Sequence, residues 1–173
     1  MLVAISDTHG RDDARLSGQT EAAVEAADVV VHAGDFVTAN VLDAFESHGS
    51  IAAVYGNADA AAVRDRLPAD RTLEWQDLRI AVVHGHEHSD IALELFARQS
   101  NADLVVRGHT HRPQFVDDEV PVLNPGSHAD PRWNRPAHAE LEWDDSAGLA
   151  RGRLVEPTGA VFDRFVVEPR AGR

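Results

Sequence analysis

Leu2-Val3-Ala4-Ile5 leads straight into Ser6-Asp7-Thr8-His9-Gly10, an unbroken apolar run followed at once by polar groups. It reads as a buried strand that ends in a polar loop. The same order recurs downstream. Val29-Val30-Val31-His32-Ala33 runs into Gly34-Asp35, and Ile51-Ala52-Ala53-Val54-Tyr55 into Gly56-Asn57-Ala58-Asp59. Arg79 to Val83 runs into His84-Gly85-His86, and Asp103 to Val106 into Gly108-His109-Thr110-His111. Helical segments lie between these runs. Asp12 to Ala27 is charged and alanine-rich, interrupted or started late by Gly18. Thr38 is placed to cap a helix to about Ser47 with Val41, Leu42 and Phe45 on one face. Ser89 is placed to cap another to about Ser100, with Ile91, Leu95 and Phe96 facing inward.

From Arg112 onward only short strands are expected: Gln114 to Val116, Val120 to Leu123, Ala137 to Trp143, Leu149 to Val155 and Val161 to Val167. Strands alternating with helices predict a parallel sheet, and the later meander predicts mainly antiparallel strands packed on it. The fold class is therefore α/β, with two sheets face to face and helices outside. A chain of 173 residues suits one core. The expectation is a single domain over residues 1–168 and a loose tail over 169–173.

Composition narrows the chemistry. There is no cysteine, so any metal is held by imidazole, carboxylate and amide groups, which suit hard or borderline divalent ions. No stretch approaches the roughly 18 apolar residues of a membrane span, and the first apolar run ends in a polar cluster rather than a cleavage site. A soluble, cytoplasmic protein that keeps its N-terminus is expected. The formal charge is −13 and every basic residue is arginine. Such a surface repels phosphate backbones, which argues against non-specific nucleic-acid binding. It resembles proteins of salt-loving organisms, whose self-repulsion is screened by concentrated salt. The expected result is a melting temperature that falls on dialysis from molar KCl to low salt; indifference to KCl would refute the halophilic reading.

In open parallel sheets, ligands bind beyond the carboxyl ends of the strands. Asp7, His9, Asp35, Asn57, His84, His109 and His111 all fall there. Each motif alone is also compatible with an ordinary turn or a solvated histidine pair. Jointly they place seven oxygen and nitrogen donors at successive strand ends while the strands stay apolar, which points to metal. A carboxylate can bridge two cations, and Asp35, on the central strand, is the candidate for that role.

These motifs, in this order and followed by Asn124-Pro125-Gly126-Ser127, resemble the calcineurin-like metallophosphoesterases, within them the small single-domain phosphodiesterases of archaea and bacteria. The likeness covers Leu2 to about Leu141. It implies a four-layer αββα sandwich of two mixed sheets flanked by helices. It implies that Asp7, His9, Asp35 and His111 bind one ion and Asp35, Asn57, His84 and His109 the other. Manganese is the expected metal, with nickel, iron, zinc or cobalt as variants. The reaction implied is hydrolysis of a small phosphoester, a diester above all, by a hydroxide that the two cations bridge. Small members of the family often pair, which implies a homodimer.

Many larger relatives carry histidine after the asparagine of the third motif, where it protonates the leaving oxygen; here that position is Ala58. Leaving groups of high pKa are then expected to be poor substrates. Asn57 is assigned beside a phosphate oxygen. His86 is a candidate replacement acid, or else a support for His84. Arg11 is a candidate phosphate partner, or a plain surface arginine. The Asn124-Pro125-Gly126-Ser127 turn is expected to be structural, and Trp75, Trp133 and Trp143 to be core or interface residues. Two other classes compete. A protein-binding scaffold of the same fold, as in a retromer subunit, lacks part of this donor set. A metal-dependent amidohydrolase barrel needs about 250 residues.

Overall fold

The computed structural model describes residues 1–170, the side chain of Asp90 excepted. The elements in chain order are β1 (Leu2–Ile5), α1 (Gly18–Ala26), β2 (Val29–His32), α2 (Ala39–Glu46), β3 (Ile51–Ala53), α3 (Ala61–Arg64), β4 (Asp70–Trp75), β5 (Leu78–Val83), α4 (Asp90–Gln99), β6 (Leu104–Arg107), β7 (Gln114–Val116), β8 (Val122–Asn124), β9 (His138–Asp144), β10 (Leu149–Val155) and β11 (Val161–Val167).

Period-two alternation explains the layers. Along β1, Leu2 and Ala4 point into a core shared with Ile80, Val82, Leu104 and Val106, between the two sheets. Val3 and Ile5 point the other way, onto Ala23 and Val24 of α1 and Val41, Leu42 and Phe45 of α2. β1 is covered on both faces, which is why its residues form a continuous apolar run. On the far side, Ala81, Val83 and Val105 pack under Leu93 and Ala97 of α4. The result is helices, sheet, sheet, helix: the αββα sandwich of two mixed sheets.

The strands are partitioned otherwise than their order along the chain predicts. One sheet runs β11-β10-β9-β1-β2-β3 and the other β4-β5-β6-β8-β7. The parallel strands therefore do not form one sheet: β1, β2 and β3 lie in the first, β5, β6 and β8 in the second. The meander is divided as well. β9 pairs antiparallel with β1, setting Leu2 opposite Leu141 and Ala4 opposite Ala139, and all four residues enter the central core. Glu140, on the other face of β9, is buried, but hydrogen bonds from His138, Arg153 and Gln19 outweigh the effect of burial and hold its pKa at about 2.

Local expectations are corrected at several points. The first helix does start late, at Gly18, as one of the two expected readings has it, and the charged stretch from Asp12 is loop. The Thr38 hydroxyl does not cap α2; it donates to the carbonyl of Arg11 at 2.7 Å. Ser89 does cap α4, accepting from the Ala92 N–H. That helix turns another stripe inward: Leu93 and Ala97 are buried while Ile91 is 80% and Leu95 55% exposed. α3 and β4, absent from the sequence reading, join the third polar loop to the second sheet. Trp75 and Trp143 meet edge to face at 6.4 Å, but Trp133 is fully exposed and is no core residue. At the end of the chain the Arg170 N–H donates to Asp103 at 2.8 Å; residues 171–173 of the expected tail lie outside the described residues. No helix among the described residues is long and apolar enough to cross a membrane.

Candidate metal centre

Because the parallel strands are divided between two sheets, their polar ends converge from two sides. β1, β2 and β3 deliver Asp7, His9, Asp35 and Asn57; β5 and β6 deliver His84, His109 and His111. Two glycines permit the approach. A Cβ on Gly56 would lie 2.2 Å from Asp35 Oδ1, and one on Gly108 would lie 1.8 Å from Ser6 Oγ and 2.8 Å from Asp7 Oδ2. Backbone conformation is also bent to the site. Asp7, His9, Asp35, His109 and His111 all adopt positive φ, between 45° and 69°. That region costs energy for any residue with a Cβ and collects at functional sites.

The carboxylates are held from behind. Asp7 accepts from Ser6 Oγ at 2.7 Å and from the His109 N–H at 3.1 Å, and its carbonyl accepts from Ser127 Oγ at 2.7 Å. Asp35 Oδ1 accepts from the Ala58 N–H at 2.7 Å. Its Oδ2 stands 3.4 Å from His9 Nε2 and 3.3 Å from His84 Nε2, between the two imidazoles. Burial alone would raise the pKa of Asp35, but the hydrogen bond and charge of His84 hold it at about 2. The converse pull of Asp35 raises His84 against its own burial, whereas burial raises Asp7.

Backbone carbonyls orient the rings. His84 Nδ1 lies 2.7 Å from the Ala33 carbonyl, and His111 Nδ1 contacts the carbonyl of Asp130. A carbonyl only accepts, so Nδ1 carries a proton in both and Nε2 is the ring atom left to face the centre, with a lone pair when the ring is neutral. His84 Nε2 and His109 Nδ1 each lie 3.1 Å from Asn57 Oδ1.

Two donor groups result, Asp7 with His9 and His111, and Asp7 with Asp35 and His84, each with all donor atoms within 4.8 Å of one another. The fit to cations is tested by the atoms left over. His9 Nε2 and His111 Nε2 are buried and hydrogen-bond to nothing. The lone pair of His111 faces a carboxylate oxygen of Asp7 at 3.4 Å. Two acceptors aimed at each other away from water are unfavourable unless a cation lies between them. Imidazole, carboxylate and amide donors fit a divalent ion.

The remaining sequence candidates lie around this centre. His86 sits with its ring 5.3 Å from that of His84 and 6.3 Å from that of His109. It does not support His84 through a hydrogen bond, a place taken by Ala33. Burial, then the His84 charge, lowers its pKa. Arg11 is exposed, and its carbonyl accepts from Thr38 Oγ1. Asn124 and Ser127 tie the last turn to Gly108 and Asp7.

Asp59, to which the sequence reading assigns no role, belongs to the framework of the site. Buried, it accepts from the N–H groups of Asp35, Val37 and Gly56 at 3.1, 2.6 and 2.7 Å, and so binds the second loop to the third. A carboxylate two residues beyond Asn57 was the available signal; its three partners are set by tertiary contact.

Two sheets bring carboxylate and imidazole donors together in adjoining groups and form a candidate metal centre. Residues 1–145 match the calcineurin-like phosphoesterase superfamily domain, and the chain belongs to that family. A probable metallophosphoesterase of Methanocaldococcus jannaschii is 34% identical over 152 residues, 84% of this chain and 77% of the relative. A phosphodiesterase of the same organism is 34% identical over 115 residues, 59% of this chain and 68% of its own length. The crystal structure of Vps29 with zinc from Entamoeba histolytica shares the fold, with a TM-score of 0.74 at 20% identity over 95% of this chain and 98% of that one.

Proposed function

We propose that the protein hydrolyses phosphodiesters at a centre of two divalent cations, with manganese preferred and nickel, iron, zinc or cobalt as substitutes. The observation that carries this reading is the pair of buried imidazole nitrogens, on His9 and His111, that face Asp35 and Asp7 at 3.4 Å with no hydrogen-bond partner. Asp7, His9, Asp35 and His111 would hold one cation, and Asp35, Asn57, His84 and His109 the other. When bound, the cations supply Lewis acidity and bring the pKa of water toward neutrality.

The protein does the positioning. By holding two cations, the donor loops would place positive charge where an anionic substrate can approach a chain of net charge −13. Asn57, exposed at the rim, offers its amide to a phosphoryl oxygen without adding negative charge. Arg11, on the loop beyond His9, is a further phosphate partner. His86 is the donor for the leaving oxygen in the absence of histidine at position 58. If so, His86→Asn lowers kcat about a hundredfold for diesters with poorly acidic leaving groups and little for nitrophenyl diesters. A rate ratio that does not vary with leaving-group pKa removes His86 from this role.

The test of the function is direct. The metal-stripped protein, kept in high salt, is assayed on bis-aryl phosphodiesters and aryl phosphomonoesters with manganese, nickel, zinc or no ion. Diester cleavage restored by metal supports the proposal. Inactivity with every ion in a folded protein favours a protein-binding scaffold. The same reading makes residues 1–168 one catalytic domain of a cytoplasmic, salt-adapted homodimer.

A further inference from the structure

We infer that Arg64 is a positioning residue that fixes Asn57, and through it the cation that Asn57, His84 and His109 would share. The inference rests on the two-cation reading above. Arg64 is the last residue of the one-turn helix α3 and turns back over the loop that precedes it. Its Nε donates to the carbonyl of Asp59 at 2.9 Å and its Nη2 to the carbonyl of Asn57 at 2.8 Å. These two carbonyls bracket Ala58, whose N–H donates to Asp35 Oδ1 at 2.7 Å. One side chain thus grips both flanks of the residue that touches the shared carboxylate. Tyr55, just before the loop, lies beneath the guanidinium with its ring centre 5.5 Å away.

The chemistry of the fork matters. A guanidinium is planar with N–H groups in fixed directions, so two bonds from one fork determine the orientation of a loop and not merely its distance. Elsewhere on this acidic chain arginines serve carboxylates, as Arg66 does with Asp43 and Glu46 and Arg153 with Glu140. Arg64 pairs with no carboxylate among the described residues and is directed at two backbone carbonyls of the donor loop instead.

Asn57 needs that help more than the other donors. Asp7, Asp35, His84 and His111 are buried and held by neighbours, whereas Asn57 is exposed and its neutral amide is a weak ligand. Its Oδ1 must stay 3.1 Å from both His84 Nε2 and His109 Nδ1 to complete a donor set. A weak ligand contributes affinity only where its geometry is set in advance.

The test is calorimetric titration of manganese into the metal-free wild type, Arg64→Ala and Arg64→Lys, with circular dichroism to verify folding. The wild type is expected to take up two ions. In Arg64→Ala the first ion binds as before and the second about 10- to 100-fold more weakly, the range for partners that orient metal ligands. Millimolar guanidinium restores part of the loss. Arg64→Lys, which keeps the charge without the fork, stays weakened, and decides the matter should the alanine variant fail to fold. Two wild-type binding steps in a folded Arg64→Ala or Arg64→Lys protein overturn the inference alone. A wild type that takes up fewer than two ions overturns it together with the two-cation reading.

Discussion

Asp35→Asn is expected to lower kcat on a bis-aryl phosphodiester by at least about a thousandfold, roughly 4 kcal/mol of lost transition-state stabilisation. The substitution preserves shape, and only charge and one donor atom change. Asp35 Oδ2 lies 3.4 Å from His9 Nε2 and 3.3 Å from His84 Nε2, which is why the two-cation proposal makes it a ligand of both ions, although Asp7 is the residue common to the two donor groups. An amide there offers either a neutral oxygen or an N–H group that repels a cation. A second readout separates metal loss from misfolding. A ligand at a thousand times its Kd adds about 4 kcal/mol to stability. For a chain of this size that raises Tm by on the order of 10 °C. Manganese is therefore expected to raise the Tm of the wild type by that amount and to leave Asp35→Asn nearly unmoved, as read by scanning calorimetry. Equal shifts, or an active variant, would sink the assignment of Asp35 as the shared ligand.

Gly108→Ala is expected to be strongly destabilising. The new Cβ would lie 1.8 Å from Ser6 Oγ, 2.8 Å from Asp7 Oδ2 and 3.0 Å from the Ala33 carbonyl oxygen. Ser6 can rotate away only by breaking its 2.7 Å bond to Asp7, and the carbonyl cannot move without displacing the His84 ring it holds. Overpacking against groups that cannot yield costs about 3 kcal/mol or more. The expected fall in Tm is on the order of 10 °C, with loss of metal binding. Gly148→Ala is the control: its φ is +65° with nothing within 4 Å of the added methyl, so it carries only the left-handed backbone cost of about 1–2 kcal/mol. Ser6→Ala in the Gly108→Ala background removes the closest clash and is expected to recover part of the stability, a non-additivity that urea melts resolve. A Gly108→Ala protein as stable as Gly148→Ala would show that the two sheets do not meet as tightly as described.

The sequence by itself determined the candidate donors and their order. Five apolar runs, each closing on Asp, Asn or His, are local features, because a buried strand needs its apolar residues in one place and its polar loop at one end. The lack of cysteine restricted the donors to imidazole, carboxylate and amide. The alternation of strands and helices was legible for the same reason.

What only the tertiary structure decided is which strand lies beside which. Main-chain hydrogen bonds are alike for every apolar run, so β1 gives no local sign that its second edge belongs to β9, or that β5 and β6 lie in a different sheet from β2. The centre therefore forms between two sheets and not along the edge of one. α4 shows the same limit within a single helix: Ile91 with Leu95 and Leu93 with Ala97 are both apolar stripes, and the sheet beneath covers the second. Asp59 and Arg64 follow suit, since each acts through backbone groups that other parts of the chain bring to it. Residue type decides what a side chain can bind, but a backbone N–H or carbonyl is present at nearly every position, and only folding selects the ones it meets.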